Sequence, residues 1–257
     1  MFLIFREAPA AFPESFELSA EEYRHLRARR LQSGATVQVG DGRGRRLAYR
    51  LAYEQGAGVA RVQRGDGQIE HGNEAPIELF TAVPEGKRWD WLLQKATELG
   101  ATAIHPIETA YSEARKLKRE REERIILEAA VQSRRYILPA LGDEVSLALD
   151  LQGAAGRSDD SAGRGAQKFA APEPIRVALD PRGDRSFAQY LRAAGAGDPD
   201  AGFAGKPFAI FVGPEGGFSE LELTRFAEAG TAVCRLGSTV LRVETAALAA
   251  LACLNAG

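Results

Sequence analysis

The sequence predicts an α/β protein with a mainly parallel sheet, preceded by a small β barrel. Two observations predict it. Up to about residue 70, short runs of alternating polarity are separated by Gly-rich turns; from Pro76 onward, apolar runs of strand length alternate with longer amphipathic stretches, the pattern of βαβ units. The expected boundaries are 1–72 for the barrel and 73–257 for the α/β domain, with a polar linker at 71–75.

In the first part, strands are expected over 36–39, 46–53 and 58–63 and one helix over 20–31. The stretch Val39-Gly40-Asp41-Gly42-Arg43-Gly44 resembles a nucleotide-binding glycine loop in composition only. Such a loop must lead into a helix, whereas 45–53 reads as the returning strand of a hairpin and Asp-Gly is a favoured hairpin turn. In the second part the expected elements are strands at 77–83, 103–107, 175–179, 208–212 and 232–236, and helices at 88–99, 118–135, 219–228 and 244–254. The segment 152–174 is rich in Gly, Ala, Ser and charge without apolar periodicity, and reads as a flexible insertion.

Two glycine-marked loops carry the functional signal. Phe208-Ala209-Ile210-Phe211-Val212 reads as a strand buried on both faces and runs into Gly213-Pro214-Glu215-Gly216-Gly217-Phe218. Ser219 followed by Glu222 then makes a capping box that opens a helix. A strand, a glycine loop and a helix N-terminus offer unpaired backbone donors to a ligand; the alternative is a tight strand-to-helix turn. No Lys-Ser or Lys-Thr follows, and the spacing is not G-x-G-x-x-G, which disfavours a triphosphate or NAD. The second loop, Leu236-Gly237-Ser238-Thr239-Val240-Leu241, precedes a nearly all-apolar helix, expected to be buried all round or to meet another subunit. Arg242 and Glu244 stand at its start, either paired with each other or reserved for a substrate.

Overall charge is −2, which by itself indicates no polyanionic partner. Between residues 20 and 50, however, eight arginines (24, 27, 29, 30, 43, 45, 46 and 50) face three acids. Such a patch reads as an RNA-contacting surface, with a solvated face as the alternative. The second cluster, Arg115, Lys116, Lys118, Arg119, Arg121 and Arg124, alternates with Glu120, Glu122 and Glu123 and reads as a solvated helix. Cys234 and Cys253 lie in apolar runs and are expected in the core, and His25, His71 and His105 have no metal-ligand spacing. Residues 1–5 are too short for a signal-peptide core and no run reaches membrane-span length, so the reading places the chain in the cytoplasm.

Together, 210–219 and the Leu236-Gly237 to Ala246 segment resemble the RsmE family, methyltransferases of the SPOUT superfamily that modify N3 of a uridine in 16S ribosomal RNA. The resemblance extends to Lys95-Ala96-Thr97-Glu98-Leu99-Gly100, similar to the family's K-x-x-E-L-G, and to 128–135, similar to its E-A-x-x-Q-S-G-R. It includes His25-Leu26 to Leu31 with Gly34 near the N-terminus. Arg134 stands where the family usually has Gly, Val131 where an acid is common, and Arg29 replaces an apolar residue.

The resemblance implies a trefoil-knotted SPOUT domain with a PUA-like N-terminal barrel, a homodimer, and S-adenosyl-L-methionine as cofactor. It also implies 16S rRNA, within the small ribosomal subunit, as partner. The implied cofactor residues are Leu179, Asp180, Pro181, Val212, Gly213, Pro214, Glu215, Gly216, Gly217, Leu236, Gly237, Ser238, Val240, Leu241, Thr245 and Ala246. Arg242 is the candidate substrate-side catalytic residue, and Glu244 either orients it or serves as base. Arg27, Arg29, Arg30, Lys95 and Arg135 are the candidate RNA contacts. The competing readings are a non-catalytic RNA-binding or assembly factor of the same fold, and a SPOUT enzyme acting on transfer RNA or on a ribose oxygen.

Overall fold

The computed structural model describes residues 2–6, 12–53, 60–72, 74–113, 117–147, 173–195 and 206–255. The expected insertion at 152–174 falls almost wholly outside them, as do Arg115 and Lys116. The chain divides into two compact units: Met1–Asn73 with Ala130–Leu138, and Glu74–Ala129 with Pro139–Gly257. The division after residue 73 adjoins the expected one, but 130–138 joins the first unit, which no local pattern announces.

The first unit holds β1 (Phe2–Phe5), β2 (Ser15–Glu17), α1 (Ala20–Ala28), β3 (Thr36–Gly40), β4 (Arg45–Tyr53), β5 (Ala60–Arg64) and β6 (Glu70–His71). They form one mixed sheet in the order β1-β3-β4-β5-β2, with β6 beside β4. Alternation along β4 sends Leu47, Tyr49 and Leu51 inward, against Leu26 of α1, Val37, Val39 and Val62. The Asp41-Gly42 turn is a hairpin turn as read: β3 and β4 pair antiparallel, and Asp41 accepts the Arg43 and Arg45 amides at 2.8 and 3.0 Å. Among the described residues β1 and β2 do not pair, so the sheet path is open.

The second unit contains β7 (Ile77–Thr81), α2 (Lys87–Glu98), β8 (Ala103–Glu108), the start of α3 (Arg119–Ser133), β9 (Ala140–Leu141) and β10 (Val145–Ser146). Then come β11 (Ile175–Leu179), β12 (Arg185–Ser186), α4 (Phe187–Ala194), β13 (Phe208–Val212), α5 (Glu220–Glu228), β14 (Ala232–Arg235) and α6 (Val243–Asn255). Among the described residues, eight strands order as β10-β8-β7-β13-β11-β14-β12, with β9 also on β8. Every recorded pairing is parallel. Central β13 is buried along its whole length, as its unbroken apolar run predicts. Phe211 stacks on Phe80 at 4.6 Å and meets Phe226 edge-on at 5.2 Å. Burying each such ring contributes about 1.5–3 kcal/mol, which holds α5 and the loop before it onto the sheet.

For α6 one of two alternatives, burial within the chain, is ruled out, and the expectation for Cys253 is corrected. Helix α6 is not buried all round: Val243, Ala247, Leu251 and Leu254 face the protein, while Thr245, Ala252 and Cys253 are exposed. Small side chains make an apolar sequence without demanding burial on every side. Cys253 is accordingly a surface residue, whereas Cys234 is in the core. The charged helix α3 is solvated as read, with Arg119 paired to Glu123 at 2.8 Å and Arg121 to Asp90 at 2.5 Å; buried Glu122 is the exception and accepts the Trp89 indole N–H at 3.1 Å. No helix among the described residues is long and apolar enough to cross a membrane.

Candidate functional site

Leu179 pairs with Val212 on one side and Cys234 on the other, so β11, β13 and β14 end level with one another. Their loops leave from one edge, the place where parallel sheets open crevices for ligands. A cleft of about 260 Å³ lies there. It is lined by Leu179, Asp180, Pro181 and Arg182 from the first loop, Val212 to Gly217 from the second, and Leu236, Gly237, Thr239, Val240, Leu241, Val243 and Ala246 from the third.

Local chemistry shapes each wall. After β11, the Gly183 amide closes a turn on the Asp180 carbonyl at 3.0 Å, and a Cβ at Gly183 would meet Cys234 backbone at 2.5 Å, so only glycine fits. The Asp180 carboxylate accepts Arg182 Nε at 2.8 Å, Arg182 Nη2 at 2.9 Å and the Phe218 amide at 3.4 Å. Burial alone would raise the Asp180 carboxyl, but these bonds and the Arg182 amide outweigh it, holding the group below its ordinary value. Arg182 also donates to Glu220 at 2.7 Å and to the Phe218 carbonyl, and its guanidinium is pushed up chiefly by the Asp180 bond.

In the second loop, the Gly217 amide donates to the Pro214 carbonyl at 2.8 Å and Gly217 has φ +72°, a conformation natural to glycine. The capping box at α5 forms as read: Ser219 Oγ accepts the Glu222 amide at 3.2 Å and Glu222 accepts the Ser219 amide at 2.7 Å. Glu222 additionally accepts the Ala110 amide at 2.8 Å, tying in the loop after β8. In the third loop nothing lies within 4 Å of a Cβ built on Gly237, and Val240 is 75% exposed.

Fourteen of the sixteen expected cofactor residues therefore line one cleft; Ser238 and Thr245 do not. Arg182, Thr239 and Val243 line it without having been foreseen. Arg182 had one signal in the sequence, its place two residues after Asp180. Arg242 and Glu244 are not in the lining. Arg242 is exposed, and Glu244 is 6% exposed, with Oε2 lacking a partner among the described residues. They form no ion pair with each other, which removes the paired alternative.

Of the candidate RNA contacts, Arg27, Arg29 and Arg30 are exposed on or just after α1. Arg27 lies over the Tyr53 ring at 5.7 Å and Arg29 over Phe2 at 5.5 Å. Lys95 is bound by Glu98 at 2.8 Å, and Arg135 is 6% exposed, contrary to a surface role. Part of the hairpin's charge is internally committed: Arg45 to Asp41 at 2.7 Å, and Arg46 to Glu70 at 2.9 Å and the Tyr136 ring at 3.7 Å.

A parallel α/β unit whose strand-end loops enclose a glycine-walled cleft matches the family described as RNA methyltransferase domain over residues 71–255. The chain is a member of that class. Within it, the chain belongs to the ribosomal RNA small subunit methyltransferase E (RsmE) family. It is 32% identical to the Bacillus subtilis protein of that name over 197 residues, 71% of this chain and 67% of the relative. It is 30% identical to the Mycobacterium bovis protein of that name over 237 residues, 90% of this chain and 82% of the relative. The fold is similar to that of the Neisseria gonorrhoeae protein of the same name, solved bound to S-adenosyl methionine. That likeness has TM-score 0.74 and 24% identity, covering all of this chain and 97% of the other.

Proposed function

We propose that this protein transfers a methyl group from S-adenosyl-L-methionine to N3 of a uridine in 16S rRNA of the small ribosomal subunit. The observation that carries the reading is the convergence of three strand-end loops on one cleft in a chain of the RsmE family. The cleft suits the cofactor on two counts. Apolar side chains at Leu179, Val212, Leu236, Leu241 and Ala246 offer a flat surface for adenine, and the bare backbone at Gly213, Gly216, Gly217 and Gly237 allows close approach to polar groups. The cofactor supplies a methyl already activated on a sulfonium, which leaves the protein to orient the acceptor, accept its imide proton and exclude water.

Arg242, exposed beside the mouth, holds a phosphate or the negative charge of the uracil. Glu244 acts from within the fold: in the first turn of α6 its carboxylate meets the positive end of the helix and steadies the loop that carries Arg242. Arg27, Arg29 and Arg30 contact RNA phosphates. The finer architecture of this reading is a SPOUT trefoil knot, a PUA-like barrel in the first unit, and a cytoplasmic homodimer.

The test is methyl transfer from labelled cofactor to purified small subunits lacking the modification, with mass mapping of the product. Label at N3 of one 16S uridine is expected. Label on another RNA or on a ribose oxygen would replace the target, and cofactor binding without transfer would favour a non-catalytic binder.

A further inference from the structure

A second cavity, of about 300 Å³, adjoins the cofactor cleft at the 214–216 loop, and Pro214, Glu215 and Gly216 line both. Its far walls come from the start of α2 and from the loop after β8. Unlike the cleft, it is furnished for a polar, flat guest. Tyr111 is 56% exposed, and its side chain rests against the bare backbone of Gly216, where an added Cβ would come within 3.2 Å of Tyr111 Cβ. The near end of the ring is thus held against the loop while more than half of the residue is exposed, and an exposed aromatic ring is a surface on which bases stack. In the same lining, the Arg88 guanidinium sits between two carboxylates, 3.5 Å from Glu85 and 3.8 Å from Glu215, both longer than charge-assisted hydrogen bonds.

We propose that this cavity receives the target pyrimidine, and that Glu215, in the shared wall, accepts the N3 proton while Arg88 faces the carbonyl oxygen on which negative charge collects. The inference rests on the methyl-transfer reading above. A uracil presents an imide N–H flanked by two carbonyls, which calls for an acceptor beside a donor; Glu215 and Arg88 supply that pair, already within an ion-pair distance of each other. Glu215 is the carboxylate in the wall common to both cavities, so a base stacked on Tyr111 has its reacting edge towards the cofactor cleft. Glu244 has no place in either lining. In the step, the N3–H bond breaks towards the Glu215 carboxylate, the pair it leaves forms the N3–C bond, and the S–C pair stays on sulfur. The products are N3-methyluracil, S-adenosylhomocysteine and a protonated Glu215, which returns its proton to solvent from its exposed position. Reaching such a cavity requires the nucleotide to leave its stack.

Three full-length variants test the assignment: Glu215→Gln, Arg88→Ala with Arg88→Lys, and Tyr111→Ala. Calorimetry with S-adenosylhomocysteine reads the cleft, single-turnover methylation of small subunits reads the step, and an RNA with 4-thiouridine at the methylated position reads placement by photocrosslinking without turnover. Glu215→Gln should slow the saturated rate about 100-fold or more, with the residual rate climbing with pH as free hydroxide replaces the carboxylate. Arg88→Ala and Tyr111→Ala should keep S-adenosylhomocysteine affinity within about threefold and lose at least tenfold in methylation, with partial rescue by Arg88→Lys. The crosslink should map to the peptide containing Tyr111 and vanish in Tyr111→Ala. A Glu215→Gln rate within threefold of an active wild type, or a crosslink elsewhere, overturns the inference and leaves the methyl-transfer reading standing; a wild type that labels no RNA overturns both.

Discussion

Arg182 grips the buried Asp180 carboxylate at two points, Nε on Oδ1 at 2.8 Å and Nη2 on Oδ2 at 2.9 Å, and through Phe218 and Glu220 the same guanidinium ties the first cleft loop to the second. Arg182→Ala leaves a buried carboxylate with backbone donors alone, but Arg182 is itself half-exposed and water screens the pair, so the second unit should lose about 1–2 kcal/mol near pH 7. The pH dependence has a definite sign. Asp180 has a lowered pKa in the folded state, so its contribution is fully present above the ordinary carboxylate value and is lost as pH falls through the depressed one. Denaturant unfolding of wild type and Arg182→Ala should therefore differ most at neutral pH and converge in acid; an equal gap at every pH would show that the pair contributes packing and not charge.

Gly237 separates cofactor binding from folding. A Cβ there meets no protein atom within 4 Å, and Gly237 is part of the cleft lining. Gly237→Val should leave thermal stability within about 0.5 kcal/mol, as for a surface change, and weaken S-adenosylmethionine binding at least tenfold in calorimetry. Unchanged affinity would take the third loop out of the cofactor site.

Arg134 tests the departure from the family pattern. Among the described residues, four helices end in the same 6→1 hydrogen bond, donated by the Leu31 amide to Leu26, Ala101 to Ala96, Arg135 to Ala130 and Thr231 to Phe226. The left-handed residue in that motif is Gly100 or Gly230 in two of them, at φ +95° and +69°, but Arg30 and Arg134 in the others, at φ +55° and +59°. A non-glycine residue there costs about 1–2 kcal/mol, offset in part by the greater freedom of glycine in the unfolded chain. Arg134→Gly should stabilise by about 0.5–1 kcal/mol in thermal unfolding. A loss of stability would mean that the Arg134 side chain contributes more than its backbone costs.

The exposed arginines of α1 should act through phosphates. Reversing Arg27 and Arg30 to Glu should weaken binding to small subunits and lower the slope of log affinity against log salt by about 0.7–0.9 per lost contact. A slope equal to that of wild type would return both residues to a merely solvated face.

Much of this was legible locally. The buried strand at Phe208–Val212, the Ser219-Glu222 capping box and the hairpin turn at Asp41 each depend on a few consecutive residues, and each formed as read. The glycine loops were legible because a backbone that must turn sharply or lie bare leaves a compositional mark. By contrast, α6 left burial within the chain and contact with another subunit both open because alanine is apolar whatever covers it, and Arg135 looked like a surface cation because burial of a charge leaves no mark in the sequence.

The alternation of the longer strands and helices from residue 76 onward, and the two glycine-marked cleft loops, were determined by the sequence alone, since periodicity and turn chemistry are properties of neighbours along the chain; the short strands β1, β2, β6, β9, β10 and β12 and the helix α4 left no such pattern. The strand order β13-β11-β14, the tie from Arg182 across to Phe218 and Glu220, the second cavity walled by Tyr111 and Arg88, and the exclusion of Arg242 and Glu244 from the cleft lining were decided only in three dimensions. Each joins residues far apart in the chain or depends on which way one side chain faces, and both are outcomes of packing the whole sheet rather than of any local preference.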